Sequence, residues 1–330
     1  MSRKAVIQSV GHGLPTRVVT NKELILEKGI DSDDEWIVQR TGIRERHLCS
    51  GDEGAHSLAI MAGREALDRS GLKPTDIEMV VAGTVSGDYI WPSTACFVQS
   101  ALGLKNAGAF DVSAACAGFI YSLANATALI ETGVIDHALV IGVDALSKQV
   151  DWSDRSTCIL FGDAAAAVIV SGVEGGERGV IKTVMFADGN GAPFISMDIG
   201  GTKYPPNCVA PAGMKYGIQM MGNEVYRFAI KAMGDACEKV LAEAGINASE
   251  VDIFIPHQAN MRIITAAAER FKFPSEKVFV NVHKYGNTSG GSIPLALYEA
   301  SISGRLKPGM LVLTVGFGAG LVWGANLIRW

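Results

Sequence analysis

Cys116 is the residue whose surroundings indicate chemistry most directly. It lies in the stretch Asp111–Phe119 (DVSAACAGF), after an apolar run at Ala107–Val112 that predicts a strand. From Cys116 onward, apolar residues recur at every third or fourth position, which predicts a helix. A thiol at such a junction faces unpaired backbone N–H groups and the positive end of the helix dipole, and both favour the thiolate. Cys116 is therefore a candidate nucleophile, and an ordinary buried thiol is the alternative interpretation.

Two polar residues in the second half of the chain are candidate partners for this thiol. His257 lies in the segment IPHQAN at 255–260 and Asn287 in the segment YGNTSGG at 285–291, and each follows a predicted strand. A glycine-rich segment, GFGAG at 316–320, follows a third strand. A Cys, a His and an Asn from three separate strand ends form a candidate nucleophilic site. Taken alone, the His is also explained as a hydrogen-bonded buried histidine and the Asn as a turn residue.

The elements that would position these residues form an internal duplication. LDRSGLKPTDIEMVV at 67–81 aligns with LAEAGINASEVDIFI at 241–255 at a constant offset, so that Gly245 corresponds to Gly71. Each copy predicts a helix, a glycine stop, a short acidic turn and a strand. Further matches follow at slightly smaller offsets: the strand before Cys116 with Val278–Val282, Ala138–Val143 with Leu311–Val315, and Ala165–Val170 with Val322–Ile328. The sequence therefore predicts two related halves, 1–174 with the Cys and 175–330 with the His, the Asn and the glycine-rich loop. A pseudo-twofold axis between the halves would bring their strand ends together.

The spacing of apolar residues also predicts the remaining elements. Strands that alternate with helices of roughly 10–15 residues are typical of α/β folds, and we expect mostly parallel sheets. Further predicted elements are strands at Ala5–Val10 and Ile77–Ala82, and helices from Thr20 or Asn21 to Leu26, within 31–44, at Ser57–Ser70 and at Thr94–Leu102. Ala187–Gly222 is the least repeated region and is rich in Gly and Pro. We expect a loop or insertion there, and loops near a cleft often carry specificity.

Composition excludes several classes of function. The chain has 330 residues, of which 48% are hydrophobic and 19% charged, as expected of a globular protein with a large core. A net charge of −5 provides no overall basic field for nucleic acid or an anionic membrane. No apolar stretch reaches the ~18 residues of a membrane span, and the N-terminal residues lack the apolar core of a secretory signal, so we expect a cytoplasmic protein. Six separated cysteines, with no CxxC pair, predict free thiols and no metal site.

Seven segments of the chain, in this order and spacing, resemble the β-ketoacyl-acyl-carrier-protein synthase III family of the thiolase superfamily, the initiating condensing enzymes of bacterial fatty-acid synthesis. They are DEWIVQRTGIRERH at 34–47, DVSAACAGF at 111–119, SDRST…FGD at 153–163, MMGNEVY at 220–226, IPHQANMRII at 255–264, YGNTSGGSIP at 285–294 and GFGAG at 316–320. The resemblance extends nearly from end to end. It implies a thiolase-like five-layer α-β-α-β-α fold, built from two duplicated halves with stacked mixed sheets, and a homodimer.

The resemblance also implies a reaction and the residues that perform it. Cys116 would take the acyl group of a short acyl-CoA, with acetyl-CoA the expected one, and release CoA. Malonyl-acyl-carrier protein would then lose CO2, and its enolate would attack the acyl thioester to give 3-ketoacyl-acyl-carrier protein. His257 and Asn287 would donate hydrogen bonds to the enolate oxygen. The backbone N–H groups of Cys116 and Ala319 would bind the tetrahedral oxyanion. No cofactor is needed, because acyl-CoA is itself a substrate.

Residues that bind CoA are likewise assigned by resemblance. Trp36 would stack on the adenine ring, and Arg40 and Arg155 would lie near the nucleotide and its phosphates. Asn260 would line the pantetheine tunnel. A planar guanidinium and an indole face are suited to these contacts.

The resemblance also indicates residues for the acyl group and the carrier protein. Trp91 would close the acyl pocket from the partner subunit, where its bulk favours a short primer such as acetyl; in the alternative, an indole ring swung outward leaves room for a larger one. The carrier protein is acidic, so a local basic patch is expected despite the acidic chain. By resemblance this patch comprises Arg227, Arg262 and Arg270.

Two other functions are alternatives. A specialised relative with the same Cys-His-Asn set would condense a different acyl group, or transfer it to an oxygen or amine acceptor, in a secondary-metabolite pathway. A non-catalytic protein that binds CoA or the carrier protein is the second alternative, and the intact Cys116, His257 and Asn287 argue against it. Elongating condensing enzymes use Cys-His-His, whereas here His283 is expected in a strand before Asn287. Acyl transfer to Cys116 distinguishes an enzyme from a binding protein.

Overall fold

The computed structural model describes residues 3–209 and 211–330, in which strands and helices alternate along the chain. The strands are β1 (Arg3–Gly13), β2 (Val18–Thr20), β3 (Glu45–His47), β4 (Met79–Gly83), β5 (Gly108–Val112), β6 (His137–Asp144), β7 (Ala164–Glu174), β8 (Gly179–Ala187), β9 (Ile195–Ser196), β10 (Gln219–Met220), β11 (Ile253–Pro256), β12 (Leu311–Gly318) and β13 (Val322–Arg329). The helices are α1 (Asn21–Lys28), α2 (Asp34–Thr41), α3 (Ala55–Ser70), α4 (Thr94–Ala101), α5 (Gly118–Glu131), α6 (Arg155–Cys158), α7 (Gly222–Ala244), α8 (Met261–Arg270), α9 (Val282–Tyr285) and α10 (Ser292–Ile302). Short 3₁₀ turns at Ala115–Ala117 and Ser289–Gly291 precede α5 and α10.

Two main sheets carry the fold. The first has the strand order β1-β7-β6-β4-β5 and the second β11-β12-β13-β8. Within these sheets β4 pairs in parallel with β5 and β6, and β11 with β12, whereas the other four neighbouring pairs are antiparallel. The expectation of mostly parallel sheets is therefore wrong. The chain returns from β6 to β7, and from β12 to β13, without a long crossover helix, and such connections join antiparallel strands.

Helices cover both faces of each sheet, which gives five layers. The outer face of the first sheet packs against α3 and α4, and that of the second sheet against α7 and α8. Between the sheets lie α5 and α10, whose buried apolar side chains form the central core. Helices that are apolar on most sides are stable only in such a buried layer. Among the helices of the described residues, none is both long and apolar enough to cross a membrane.

The second sheet repeats the first along the chain. The starts of β4 and β11 have the same separation as Gly71 and Gly245, and so do the starts of β6 and β12. The offset is therefore constant through these strands, and the expectation of a smaller offset between β6 and β12 is wrong. Ala115 (φ 43°) and Ser289 (φ 48°), which correspond at this same offset, are left-handed residues that open the two 3₁₀ turns. Strands of the first sheet end by Glu174 and those of the second begin at Gly179, whereas the boundary between 174 and 175 stays a prediction.

The segment Val278–Val282 is not a strand, contrary to the prediction. Its first residue makes a single bridge to β11, and the chain then enters α9. The side-chain oxygen of Gln258 accepts hydrogen bonds from the backbone N–H groups of Asn281 (2.9 Å) and Val282 (3.2 Å). These groups are thereby paired without a neighbouring strand. His283 consequently lies in α9 and not in a strand.

The insertion at Ala187–Gly222 is the most irregular part of the described chain. It begins with a 3₁₀ segment at Gly189–Phe194 and contains the two-residue strands β9 and β10, which pair antiparallel. The residues between β9 and β10 are largely turns and bends. The glycine and proline content predicts this loop character.

Glycine allows the two halves to approach at the centre of the molecule. A Cβ built on Gly142, in β6, would lie 2.1 Å from the carbonyl oxygen of Gly290, in the turn before α10. That distance is well inside van der Waals contact, and the obstacle is backbone. A side chain at position 142 would therefore push the first sheet away from the Ser289–Gly291 turn.

We expect Gly142→Ala to lower the free energy of unfolding by about 1–3 kcal/mol, as overpacking of a core does. Gly201→Ala is the matched control, because a Cβ there meets nothing within 4 Å. Urea unfolding followed by circular dichroism measures both variants against the wild type. Equal stability of the two variants would contradict the close contact.

Candidate active site

A cavity of about 580 Å³ is lined by residues from both halves of the chain. Cys116 follows β5 and His257 follows β11, as predicted. Asn287 instead follows the helix α9, contrary to the prediction of a strand before it, and it pairs in an isolated bridge with Phe161. Exposed arginines such as Arg40 line its rim, whereas the His and the Asn are buried. The structure thus brings the three predicted catalytic side chains into one cavity.

Cys116 lies at the junction of a strand and a helix, as predicted. β5 ends at Val112, Cys116 is the middle residue of the 3₁₀ turn, and α5 begins two residues later. Ala115 adopts a φ of 43°, a left-handed conformation that is uncommon for residues other than glycine. The tight turn directs the thiol into the cavity, where its Sγ lies 3.1 Å from the hydroxyl of Ser289.

The thiol of Cys116 is protonated in the cavity. Burial raises its pKa to about 12, and that value includes a decrease from the hydrogen bond to Ser289 and an increase from the nearby Asp144 carboxylate. The expected preference for the thiolate is therefore wrong for the isolated side chain. Desolvation penalises the charged form more than the turn and the hydrogen bond stabilise it.

The described residues show no arrangement of thiols for metal binding. All six cysteines are free. Within residues 3–209 and 211–330, no group of three or more His, Cys, Asp or Glu side chains could hold a metal ion. Among the cysteines, Cys116 is the one that lines the described cavity.

His257 presents an uncharged N–H donor. The hydroxyl of Ser292 lies 2.9 Å from Nδ1 of the ring and accepts a hydrogen bond from the backbone N–H of Gln258 (2.7 Å). Because the hydroxyl proton then has Nδ1 as its acceptor, we assign the proton of the neutral ring to Nε2. Burial lowers the pKa of His257 to about 3, so the ring is neutral at physiological pH.

The orientation of Asn287 is fixed by hydrogen bonds on its backbone and its side chain. Its backbone N–H donates to the carbonyl oxygen of Leu160 (2.8 Å), and its own carbonyl oxygen accepts from the N–H of Gly162 (3.0 Å). The side-chain Oδ1 accepts from the N–H of Ser289 (2.9 Å). With the oxygen engaged, the Nδ2 amide group is the donor available to a substrate, and an amide does not titrate.

The glycine-rich segment 316–320 lies directly against the Cys116 turn. A Cβ built on Gly318 would lie 2.6 Å from the backbone nitrogen of Cys116, so a side chain at position 318 has no room. Ala319, the next residue, lines the same cavity. Oxyanion binding by the N–H groups of Cys116 and Ala319 stays a prediction, and this approach brings the two segments together.

At the rim, Trp36 lies between two guanidinium groups. Those of Arg40 and Arg155 are 4.7 Å and 5.2 Å from the ring centroid. Asp33 accepts a hydrogen bond from the backbone N–H of Trp36 (2.8 Å) and thereby caps α2. Arg155 does not line the cavity itself but extends along its rim, 3.5 Å from the carboxylate of Asp31. An indole flanked by two cations suits an anionic aromatic ligand.

Asn260 and Arg262 lie on the same side of the cavity, at the start of α8. Asn260 caps this helix, because its Oδ1 accepts from the N–H of Ile263 (3.0 Å), and both Asn260 and Arg262 line the cavity. The guanidinium of Arg262 is exposed and lies 5.1 Å from the ring centroid of Tyr226. This arginine is a free cation at the cavity entrance within the described residues.

Three other predicted residues lie outside the cavity. The side chain of Trp91 is exposed, with 81% of its surface accessible. Arg227 is exposed and forms an ion pair with a glutamate of its own helix (3.2 Å). Arg270 contacts two acidic side chains of α7, Asp235 and Glu238, each at 2.9 Å, so much of its charge is compensated. The structure therefore does not bring Trp91, Arg227 or Arg270 to the walls of the cavity.

Sequence reasoning missed several residues of the site. Ser289 and Ser292 lie inside the quoted segment YGNTSGGSIP, but a serine carries no signal of its contacts. Asp144 ends β6 one residue beyond the predicted strand. Part of the cavity wall comes from the irregular insertion, which contributes the apolar side chains Ile195, Met197, Ile218 and Met220. The structure therefore places this insertion at the site, where the sequence predicts only its loop character.

Three polar groups of the site correspond to glycines in the other half of the chain. At the offset that relates Gly71 to Gly245, the pairs are Cys116 with Gly290, His257 with Gly83, and Asp144 with Gly318. Gly318 lies against the backbone of Cys116, and the N–H of Gly290 donates to Oδ2 of Asp144 (2.9 Å). Two of these glycines, Gly318 and Gly290, therefore lie directly against functional residues of the other half, Cys116 and Asp144.

Known families and structures match the chain over its length. A model described as 3-Oxoacyl-[acyl-carrier-protein (ACP)] synthase III C terminal matches residues 241–330, and one described as 3-Oxoacyl-[acyl-carrier-protein (ACP)] synthase III matches residues 110–189. The beta-ketoacyl-[acyl-carrier-protein] synthase III of Caldanaerobacter subterraneus is 45% identical over 99% of this chain and 98% of its own. The crystal structure of 3-oxoacyl-[acyl-carrier-protein] synthase III from Aquifex aeolicus matches with a TM-score of 0.90 and 44% identity, over 99% of this chain and 100% of its own. The priming beta-ketosynthase from the R1128 polyketide biosynthetic pathway matches with a TM-score of 0.91 and 35% identity, over 99% and 97%.

We expect the ring of His257 to remain neutral, with its proton on Nε2, between about pH 5 and 8, because burial lowers its pKa to about 3. Long-range ¹H–¹⁵N correlation spectra report both the charge and the tautomer, and His257→Asn identifies the signals. Ser292→Ala removes the hydroxyl from Nδ1, and we expect a mixture of tautomers in that variant. A ring that titrates above pH 5 in the wild type would contradict this assignment.

Proposed function

This chain belongs to the 3-oxoacyl-acyl-carrier-protein synthase III family, with its thiolase-like fold, and from that membership we propose how its residues act. It is a condensing acyltransferase that joins an acyl-CoA to malonyl-acyl-carrier protein in the initiation of fatty-acid synthesis. The acyl group passes through a thioester on Cys116, and the expected primer is acetyl. The observation that carries this proposal is the convergence of Cys116, His257 and Asn287 in one cavity whose rim holds Trp36 and Arg40.

In the first half-reaction Cys116 takes the acyl group. The Sγ atom attacks the thioester carbonyl, and negative charge develops on the carbonyl oxygen. The backbone N–H groups of Cys116 and Ala319 stabilise that charge, and Gly318 lets the two segments approach. Collapse of the intermediate expels CoA and leaves an acyl thioester on the enzyme. No cofactor takes part, because the thioester itself is the activated group.

In the second half-reaction the site stabilises an enolate. Malonyl-acyl-carrier protein loses CO2, and the charge left on its thioester oxygen needs donors that do not ionise. The Nε2–H of neutral His257 and the Nδ2 group of Asn287 are such donors. A cationic histidine is not required, since burial keeps the ring uncharged. The enolate carbon then attacks the acyl thioester and releases 3-ketoacyl-acyl-carrier protein.

Substrate contacts at the rim follow from the positions of the cations. Trp36 stacks on the adenine of CoA while Arg40 and Arg155 bind its phosphates, and Asn260 lines the pantetheine tunnel. The carrier protein docks beside Arg262, the exposed cation at the entrance. Arg227 and Arg270 extend this patch along α7 and α8, with less free charge because each is paired with acidic side chains.

A homodimer in the cytoplasm is part of the same proposal. Ile90 and Trp91 expose 82% and 81% of their surfaces, and Tyr89 beside them exposes 56%. Contiguous exposed apolar side chains mark interaction surfaces. In a dimer this segment is covered, and Trp91 reaches the acyl pocket of the partner subunit.

A specialised condensing role is the second candidate, and the polyketide priming synthase supports it. That protein shares 35% identity and a TM-score of 0.91 with this chain. In this second role, primers larger than acetyl would acylate Cys116 fastest. The methionine and isoleucine side chains from the insertion, which form part of the cavity wall, adapt to such groups.

Intact-mass measurements follow the two half-reactions, acylation of Cys116 and discharge of the acyl group, one at a time. With acetyl-CoA we expect a gain of one acetyl group in the wild type, none in Cys116→Ser, and discharge of the wild-type adduct by malonyl-acyl-carrier protein. Asn287→Ala should acylate at the normal rate but lose about 10²–10³-fold in discharge, because it lacks one donor to the enolate.

A panel of longer and branched acyl-CoAs in the same assay identifies the primer. Rapid acylation by a large primer alone would favour the specialised role. No acylation by any primer would overturn the proposal, and equal loss of both half-reactions in Asn287→Ala would contradict its assigned step.

For the rim, we expect Trp36→Ala and Arg40→Ala to raise the KM for acyl-CoA about 3- to 30-fold, with the maximal acylation rate unchanged. The reason is that both side chains contact the nucleotide and not the reacting thioester. Acyl-pantetheine, which lacks the nucleotide, is the matched control substrate. An equal increase in KM for acyl-CoA and for acyl-pantetheine would show that Trp36 and Arg40 do not bind the nucleotide of CoA.

A further inference from the structure

Asp144 is a fully buried carboxylate that no step above uses. Its Oδ1 accepts hydrogen bonds from the hydroxyls of Thr84 (3.1 Å) and Ser86 (2.7 Å) and from the backbone N–H groups of Val85 (2.9 Å) and Ser86 (3.1 Å). Its Oδ2 accepts from the N–H of Gly290 (2.9 Å). These five hydrogen bonds stabilise the carboxylate form, which burial by itself disfavours.

Ser289 links this carboxylate to the nucleophile. The thiol of Cys116 donates to the Ser289 hydroxyl across 3.1 Å. Burial raises the pKa of the Asp144 carboxyl above its ordinary range, and the Ser289 hydroxyl, whose neighbour Gly290 donates its N–H to that carboxyl (2.9 Å), lowers it. Ser289 is itself 1% exposed and sits in a left-handed conformation at the start of its turn. The Ser289 hydroxyl and the Asp144 carboxylate therefore form a path of neighbouring polar groups from the thiol to the acid.

The charges in this pocket favour transfer of the Cys116 proton to Asp144 over its loss to solvent. If Cys116 lost its proton to solvent, the thiolate and the Asp144 carboxylate would form two negative charges in one buried site, and Asp144 does raise the pKa of the thiol. If the proton instead passes to Asp144, the site carries one negative charge before and after. Transfer along the path thus avoids the repulsion that ionisation creates.

We propose that Asp144, acting through Ser289, is the proton acceptor that makes the Cys116 thiolate. The inference rests on the proposed function only in its use of Cys116 as the nucleophile. The S–H bond breaks as its proton passes to Ser289 Oγ, while the hydroxyl proton of Ser289 forms an O–H bond on Asp144. During condensation Cys116 is expelled as a thiolate, and the reverse transfer returns the proton. CoA, released earlier as a thiolate, takes its proton from water outside the cavity.

Other ionisable groups do not offer a competing path of the same kind. His257 lies across the same cavity, but its pKa of about 3 makes it a poor acceptor. The turn that bears Cys116 packs against α5, β12, β13 and the Ser289–Gly291 turn. Of these, β12 and the turn carry no ionisable side chain, and the ionisable groups of the other two are Tyr121, whose hydroxyl donates to Phe186, and Glu131 and Arg329 at the far ends of their elements.

The pH dependence of Cys116 alkylation tests this proposal without acyl-CoA or carrier protein. A thiolate formed by internal transfer has a constant population, so the rate with iodoacetamide should be flat between about pH 6 and 9. Asp144→Asn should lose the flat region and rise tenfold per pH unit, because the thiol then loses its proton only to solvent. Ser289→Ala should react at least tenfold more slowly at pH 7, since the thiolate loses its hydrogen-bond donor. Mass spectrometry of the Cys116 peptide provides the rates.

Asp163→Asn is the matched control, because Asp163 is equally buried but bonds to Ser147 and Cys49. It should keep the flat wild-type profile. A wild-type rate that already rises tenfold per pH unit would overturn the proposal, as would faster alkylation in Asp144→Asn, which is the result of simple repulsion. A flat profile in Ser289→Ala together with a sloped one in His257→Ala would assign the proton to His257 instead. If Asp144→Asn does not fold, the wild-type slope and Ser289→Ala still decide. Failure of acylation with a flat alkylation profile would refute the proposed function and not this inference.

Discussion

Two strand-to-helix turns, Ala115–Ala117 and Ser289–Gly291, pack directly against one another, and the geometry of the cavity depends on that contact. One turn carries the thiol, and the other carries its hydroxyl partner and follows Asn287. The second turn also lies against the first sheet without room for side chains, since a Cβ on Gly142 would lie 2.1 Å from the carbonyl oxygen of Gly290, and a Cβ on Gly290 would lie 2.9 Å from that of Gly83. Each turn also leads into a helix of the central layer, α5 or α10. The contact between the turns therefore sets the positions of these two helices and of the site residues relative to the two sheets.

Burial of the site residues around these two turns determines which of their side chains are charged. The Cys116 thiol and the His257 ring are neutral because low polarity penalises their ions. The polar atoms are instead paired with neutral donors and acceptors, such as Ser292 on the ring and the N–H of Ser289 on Asn287. Uncharged donors that are already held by hydrogen bonds need little reorganisation when charge appears on a substrate oxygen, and that is the condition for electrostatic catalysis.

The sequence predicted correctly the helix ends that depend only on neighbouring residues in the chain. Gly71 ends α3 in a left-handed conformation (φ 73°), and Thr20, one of the two residues at which the sequence predicts this helix to begin, caps α1. The failed predictions depend on distant partners. The apolar run Val278–Val282 is not a strand because the side chain of Gln258 takes its N–H groups. The ionisation of Cys116 depends on how deeply it is buried and on Asp144, and no pattern in the sequence measures either one.

The pairing of reactive residues with glycines has a consequence for the origin of such a chain. Near a twofold axis, a position and its mate approach each other, so two copies of one bulky side chain would compete for one space. An ancestral dimer of identical half-length subunits would have faced that conflict at Cys116 and Gly290, whose turns pack against each other. Gene fusion removes it, because each copy can then diverge alone. One copy then keeps the reactive side chain, and the other copy has glycine at the corresponding position, which leaves space for that side chain.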